Sequence, residues 1–357
     1  MNTENTENTG NTPAANEKKN IFDSLHEEIL NSGLPESEIN RRLSVLLRAS
    51  SRRVNLMLVG ASGSGKSSTV NALFDMSVAK VGIGVDPETS EITKFDLGNL
   101  TIWDTPGLGD TVEKDKAHVK QIVRKLSERD ADGNMLIDLV LVVLDAGSKD
   151  LAVSFDVINN TLIPCLGKET HRILIGLNQS DLAMKGRNWD HEKNAPNDIL
   201  TDFLKLKAGS VERRVREATD VKVEPVCYCA GYTDGEAKQN PYNLSKLLYY
   251  ILMAVPAEKR LVLANNLNGT ESNWTSNDSD KDYTGAVAKS FWESFLDDIW
   301  GGVEMGAIIG GCIIGVPGMI VGGLVGAIAA GFHALVVKPL KKPKPKKELD
   351  PLVTIFK

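Results

Sequence analysis

Eight residues, Gly60-Ala-Ser-Gly-Ser-Gly-Lys66-Ser67, carry the strongest chemical signal in the chain. They satisfy G-x-x-x-x-G-K-[ST], the spacing of a loop that wraps a phosphate. Gly60, Gly63 and Gly65 let the backbone come close to an anion, so that amides through Ser62, Ser64 and Ser68 can turn toward it. The apolar run from Val54 to Val59 reads as a buried parallel strand. Ser68 to Phe74 reads as a helix with apolar Val70, Leu73 and Phe74. Such a helix aims its positive dipole end at the same phosphates. Lys66 is then placed to reach the β- and γ-phosphates, and the Ser67 hydroxyl to ligate Mg²⁺. A surface turn with a lone lysine would leave the flanking strand and helix unexplained.

A phosphate loop does not name the nucleotide, but three further strand ends narrow the choice. Leu100 to Trp103 is a short apolar strand that runs into Asp104-Thr105-Pro106-Gly107. Asp104 can hold Mg²⁺ through water, and the Gly107 amide can meet a γ-phosphate. Leu139 to Leu144 is all Leu and Val, as a strand buried on both faces requires. Ile173 to Leu177 ends in Asn178-Gln179-Ser180-Asp181. A carboxylate at Asp181 can accept from N1–H and the exocyclic amine of guanine, whereas adenine presents an acceptor at N1. Val223 to Cys229 reads as a last strand ending in Cys229-Ala230-Gly231, where a backbone amide can meet the guanine O6.

The ordered set GASGSGKS, DTPG, NQSD and CAG resembles the G1, G3, G4 and G5 motifs of translation-factor-type GTPases in the Era-like and septin-like branch. Within it, the chain is most similar to bacterial GTPases, often encoded in mobile elements, that carry N-Q-x-D. The resemblance covers about residues 50 to 255. It implies a GTP- and GDP-binding enzyme that uses Mg²⁺, with Lys66, a switch threonine and Gly107 at the reacting phosphate. Thr89 is the favoured switch threonine and Mg²⁺ ligand; Thr93 is the alternative, and a turn role suits either hydroxyl.

Three positions depart from the pattern. Gln179 replaces the lysine whose stem covers the purine in relatives, which implies weaker base selection. Leu108 stands where Ras-like enzymes carry a water-orienting glutamine. Gly63 stands where potassium-activated relatives carry asparagine. Slow intrinsic turnover follows, completed by an activating partner or by self-association.

At 357 residues the chain exceeds one G domain, so appended elements are expected. A net charge of −6 gives no general attraction to nucleic acid. Residues 1–20 repeat Asn, Thr and Glu without an apolar core, and read as a disordered tail with no signal peptide. Cys165, Cys227, Cys229 and Cys312 suggest no disulfide framework and a reducing compartment. Residues 21–49 read as two helices, with Ile21, Leu25 and Ile29 on one and Ile39, Leu43, Leu46 and Leu47 on the other. Both stripes pack on the G domain or form a self-association surface. After NQSD, a polar insertion with Trp189 precedes a helix over 199–215, which either packs or contacts a partner.

Following the G domain at 50–258, residues 259–283 read as a helix end and polar linker. An amphipathic helix then begins at 284, with Val287, Phe291, Phe295 and Ile299 on one side and Trp292 and Trp300 beside them; this aromatic density suits a bilayer interface. From Met305 to Phe332 no charge appears, and Gly306, Gly310, Gly318, Gly322 and Gly326 recur at four-residue spacing. These 28 residues would make about 42 Å of helix, long for one crossing and short for two. Gly315-Val-Pro317-Gly318 suggests a turn, and the lysines from Lys338 to Lys347, at the start of and within the basic tail 339–357, suit an anionic cytoplasmic leaflet. A short membrane hairpin over 284–338 fits both constraints; a tilted span or a helical pair packed in a soluble oligomer are the alternatives.

The expected fold is α/β: a three-layer P-loop G domain with a mostly parallel sheet, N-terminal helices and a C-terminal glycine-rich membrane segment. The expected function is a GTP switch on the cytoplasmic face of a membrane. A membrane-perturbing or oligomerising tail gated by the G domain, and a soluble cytoplasmic GTPase, are the other readings. Homo-oligomers and an activator or effector are expected partners. Nucleic acid is not, since the lysine tail lacks interleaved aromatics.

Overall fold

The computed structural model describes residues 21–76, 80–81, 91–109, 111–234 and 237–300. Helices α1 (Ile21–Leu30) and α2 (Glu36–Ser51) lead into β1 (Val54–Val59), whose six residues are all buried. The phosphate loop follows, then α3 (Lys66–Leu73), β2 (Lys80–Val81), β3 (Thr93–Leu97) and β4 (Leu100–Asp104). Next come α4 (Val112–Ser127), β5 (Leu139–Asp145), and α5 (Ala152–Val157), joined through a π-turn to α6 (Ile163–Leu166). Beyond β6 (Ile173–Asn178), the insertion forms a small hairpin of β7 (Trp189–Asp190) and β8 (Ala195–Pro196), then α7 (Asp198–Thr219). The chain continues through β9 (Val226–Cys227), a second hairpin of β10 (Tyr232–Asp234) and β11 (Ala237–Gln239), α8 (Leu244–Ala254), α9 (Arg260–Asn266) and α10 (Tyr283–Trp300).

The central sheet has the order β2-β3-β4-β1-β5-β6-β9. β4, β1, β5, β6 and β9 run parallel, while β2 and β3 form the antiparallel edge. Its two central strands explain the layering. On β1, Leu56 and Leu58 face one core and Met57 and Val59 the other; on β5, Leu139, Leu141 and Val143 oppose Val140, Val142 and Leu144. Helices α4 to α7 cover the second face. The first is covered by α3 and α8 together with α1, α2, α9 and α10. The domain is therefore an α/β P-loop G domain with a mostly parallel sheet.

The appended helices share the G domain's core. Leu25, Ile29, Val45 and Leu46 are buried in the same cluster as Leu261, Trp274, Val287 and Phe291. Leu47, expected on the apolar stripe, is instead 64% exposed, and Val45 is turned inward. The stretch expected as a polar linker is also packed. Trp274 is 2% exposed, and the Asn273 amide donates to the Ala72 carbonyl at 3.1 Å. Asn243 donates to Asp278 at 2.9 Å, and Lys246 is ion-paired to it at 2.7 Å. Asn and Asp side chains here bond backbone and charges that a flexible segment would leave to water.

Val287 and Phe291 are fully buried against this core, so that part of the expected interfacial stripe faces protein. No helix among the described residues is long and apolar enough to cross a membrane. The glycine-rich tract, the lysine tail and the N-terminal tail lie outside the described residues.

Candidate nucleotide-binding site

The phosphate loop links the end of β1 to α3, and two of its glycines have no substitute. A β-carbon on Gly60 would collide with the Val143 carbonyl of β5. Gly65 has φ +88°, and a β-carbon there would strike the Asn178 amide. Ser62, Gly63, Ser67 and Ser68 are exposed, whereas Ser64 is buried. The cradle is thus open on the side where an anion would enter.

Lys66 lies across this loop, donating to the Gly60 and Ala61 carbonyls at 3.1 and 3.2 Å. Burial lowers its pKa, and the nearby Asp104 carboxylate opposes that shift. The Ser67 hydroxyl donates to Asp104 Oδ2 at 3.3 Å. Asp104 Oδ1 is buried and has no hydrogen-bond partner among the described residues. Burial raises the Asp104 pKa, against the pull of Lys66 and Ser67. A hydroxyl beside a carboxylate with an unused oxygen is a donor set suited to Mg²⁺, a hard cation that prefers oxygen ligands. Ser67 and Asp104 are the residues that could hold it. Thr89 lies outside the described residues; Thr93 begins β3 and pairs with Asp104 across the ladder.

Gly107 passes directly over the loop. A β-carbon on it would sit 2.7 Å from Ser62 Cα, so the two backbones touch. The Leu108 amide donates to the Gly60 carbonyl and the Ser62 amide to the Leu108 carbonyl, both at 3.2 Å. Leu108 itself is 2% exposed and joins the core with Met57 and Val59. Its apolar side chain therefore anchors this segment rather than facing the phosphate side.

Asn178, at the end of β6, ties the phosphate loop to the next strand end. Its side chain donates to the Ser64 carbonyl and accepts from the Ala230 amide, each at 3.0 Å. Gln179 adopts φ +59° and donates to the Gly63 carbonyl at 2.9 Å, taking a polar contact on the loop itself. Asp181 is 6% exposed, with the Cys229 side chain near it. Burial raises its pKa, while its own amide and the Gln239 and Cys229 side chains pull the other way. Gly231 takes φ +73°, which turns the chain out of this pocket into β10.

Three residues in this region carry no spacing signal in the sequence. The Tyr228 and Thr69 hydroxyls are 2.7 Å apart in the core, and Thr69 donates on to the Gly65 carbonyl at 2.8 Å. Gly176 makes the room, since a β-carbon there would lie 2.7 Å from the Tyr228 ring. Gln239, on β11, is 8% exposed and donates to Cys229 Sγ at 3.5 Å.

Residues 55–179 match the family model described as 50S ribosome-binding GTPase. No curated protein matches the chain. Among solved structures, it is similar to Toc33 from Arabidopsis thaliana in complex with Mg²⁺ and GMPPNP: 17% identity, 60% of this chain and 85% of that one, TM-score 0.37. LeoA, a bacterial dynamin GTPase from ETEC, matches at 16% identity over 82% of this chain and 46% of that one, TM-score 0.35. A probable GTP-binding protein engB matches at 16% identity over 56% and 98%, TM-score 0.35. Likeness at this level bears on no residue's role.

Proposed function

We propose that the chain binds GTP and GDP with Mg²⁺ and hydrolyses GTP slowly, as a switch. The observation that carries this reading is the two-way bond of Asn178. It ties the phosphate loop, through Ser64, to the Cys229–Gly231 turn, through Ala230. Phosphate and base recognition are thereby held at one rim. The Asp181 carboxylate accepts from guanine N1–H and the exocyclic amine, and in the Cys229–Gly231 turn the Gly231 amide meets O6, since the Cys229 and Ala230 amides donate to Tyr242 and Asn178. Lys66 exchanges its two carbonyl partners for phosphate oxygens, a gain because its ammonium is partly desolvated in the empty loop. Gly107 offers a backbone amide above Ser62. Mg²⁺ held by Ser67, Asp104 and Thr89 would offset charge on the β- and γ-phosphates.

Slow turnover follows from Leu108. With its side chain in the core, that position supplies no group to orient an attacking water, and an activator or a second copy of the chain must do so. Nucleotide titration tests the reading: GDP and GTP should bind without competition from ATP, and Asp181→Ala should abolish that preference. Tight ATP binding by the wild type would refute it. The N-Q-x-D motif supports kinship with mobile-element GTPases of the Era-like and septin-like branch.

The location proposed is the cytoplasmic face of a membrane, supported by the uncharged glycine-spaced tract and the lysines after it. Alkaline carbonate washing of membranes tests this on the full chain and on one ending at residue 300. Resistance of the full chain alone supports an integral tract; extraction of both makes the protein a soluble GTPase.

A further inference from the structure

Between β9 and α8 the chain makes a hairpin that phosphate and metal binding do not call for. Its strand β10 follows directly on the Cys229–Gly231 turn, and Tyr232 pairs with Gln239 of β11. Directly opposed residues of an antiparallel pair put their side chains on one face. Gln239 is buried there, its amide donating inward to Cys229 Sγ at 3.5 Å. Tyr232 projects from the same face, and yet it is 49% exposed.

The base of the hairpin is held firmly. The Gln239 backbone carbonyl lies so close to Gly231 that no β-carbon fits between them. Asn194, between β7 and β8, donates to the Asn240 and Pro241 carbonyls at 3.0 Å. Tyr242 and Cys229 exchange backbone hydrogen bonds at 2.9 and 3.0 Å. A large aromatic ring is thus carried on a fixed support and left half in solvent.

Its surroundings say what it faces. Tyr232 shares a cavity of about 280 Å³ with Ser68, Asn71, Gly231 and Gln239. This cavity touches both ends of a nucleotide's path. Ser68 lies in the first turn of α3, beside Lys66 and Ser67, and Gly231 carries the amide assigned to guanine O6. A nucleotide that spans the two passes along the wall that Tyr232 forms. Gln179, which stands where relatives place a covering lysine stem, is tied instead to the Gly63 carbonyl at 2.9 Å. An exposed aromatic face beside a purine gains by stacking, since every base has a π-face and both surfaces leave water.

We propose that Tyr232 binds the guanine base by stacking its ring on the purine face, which makes the β10–β11 hairpin a wall of the nucleotide site. This rests on the guanine-nucleotide reading above. Stacking is indifferent to the edge of the base. Tyr232 therefore supplies affinity and leaves the choice of base to Asp181.

The test titrates GDP, ADP and pyrophosphate against the full chain as wild type, Tyr232→Ala, Tyr232→Phe and Tyr232→Trp. Tyr232→Ala should weaken GDP by about tenfold. Pyrophosphate, which has no base, should bind to it as to wild type. Tyr232→Phe should hold GDP as wild type does, because the ring and not the hydroxyl makes the contact. Tyr232→Trp should hold GDP equally well and add a quench of tryptophan emission beyond that of wild type, absent with pyrophosphate. Equal losses of GDP and pyrophosphate in Tyr232→Ala would mean that the phosphate loop is disturbed, and would overturn the proposal. A loss in Tyr232→Phe as large as in Tyr232→Ala overturns it too. If the wild type prefers GDP to ADP and Tyr232→Ala leaves GDP binding unchanged, only Tyr232 is misassigned. If the wild type shows no guanine preference, the underlying reading fails with it.

Discussion

The Tyr228 and Thr69 hydroxyls lie 2.7 Å apart, joining the end of β9 to the first turn of α3. Thr69 spends its proton on the Gly65 carbonyl, so Tyr228 is the donor in this pair. The chain thus reads Tyr228 to Thr69 to Gly65, a buried relay from the end of β9 to the loop before α3. Tyr228 is fully buried, and burial raises its pKa so that it stays neutral at any working pH.

Tyr228→Phe removes the donor but leaves no donor stranded, and should cost about 1 kcal/mol of stability. Thr69→Val leaves the Tyr228 hydroxyl buried without an acceptor and should cost about 2 kcal/mol, the larger of the two. Urea denaturation of both variants checks the order. Reversal would mean that the hydroxyl pair does not run in this direction.

Gln179→Lys should tighten GDP binding about threefold and slow its release. The present side chain already donates to Gly63 at 2.9 Å through a neutral amide. A lysine there makes the same bond charge-assisted and brings its alkyl stem to the purine face. Gln179→Ala should act in the opposite sense, by losing the Gly63 contact. Stopped-flow release of a fluorescent GDP measures both; equal rates in all three proteins would remove Gln179 from the site.

These contacts also mark where the sequence was legible. The alternation of Leu56 to Val59 between two cores follows from a wholly apolar strand, because only a sheet covered on both faces buries such a run. The four strand-end motifs were legible because each needs fixed residue types for phosphate, metal or base. Val287 and Phe291 were not, since an apolar helical stripe looks the same whether it meets α8 and α9 or lipid headgroups. Trp274 was obscured by its polar neighbours, whose side chains are spent on backbone groups rather than on water. Gln239 had no signature at all: a three-residue strand returns it to a turn ten residues back.

Away from the nucleotide, Asp138 is 1% exposed and ion-paired with Lys259 at 2.7 Å. Burial raises its pKa, against the pull of Lys259, the Asn55 amide and Arg172. A carboxyl raised in the folded state holds a proton that the unfolded chain has released. Stability attributable to it therefore falls as pH rises from its ordinary value of 3.8 through the higher folded value, and stays reduced above. Lys259→Met leaves the buried carboxylate with Arg172 at 3.9 Å and the Asn55 amide, pushes that folded value higher, and should cost about 2 kcal/mol at neutral pH. Melting curves across pH should show the deficit largest near neutrality and shrinking on acidification. A deficit independent of pH would assign the loss to packing of the lysine stem instead.

Asp104 sets stability against function. Among the described residues its Oδ1 is buried without a partner, and its only side-chain donor is Ser67 at a long 3.3 Å. An under-bonded carboxylate of this kind costs the empty protein stability, a cost that a cation bound there would offset. Asp104→Asn removes the charge at nearly constant shape. The empty variant should melt at a higher temperature than the empty wild type. Its nucleotide binding should lose the increment that Mg²⁺ supplies, with metal affinity down by about 10- to 100-fold, as for other groups that hold a metal through its water shell. Paired GDP titrations with Mg²⁺ and with EDTA separate the two effects. If the variant gains stability yet keeps the full Mg²⁺ increment, the ion is held elsewhere and the unused Asp104 oxygen needs another explanation.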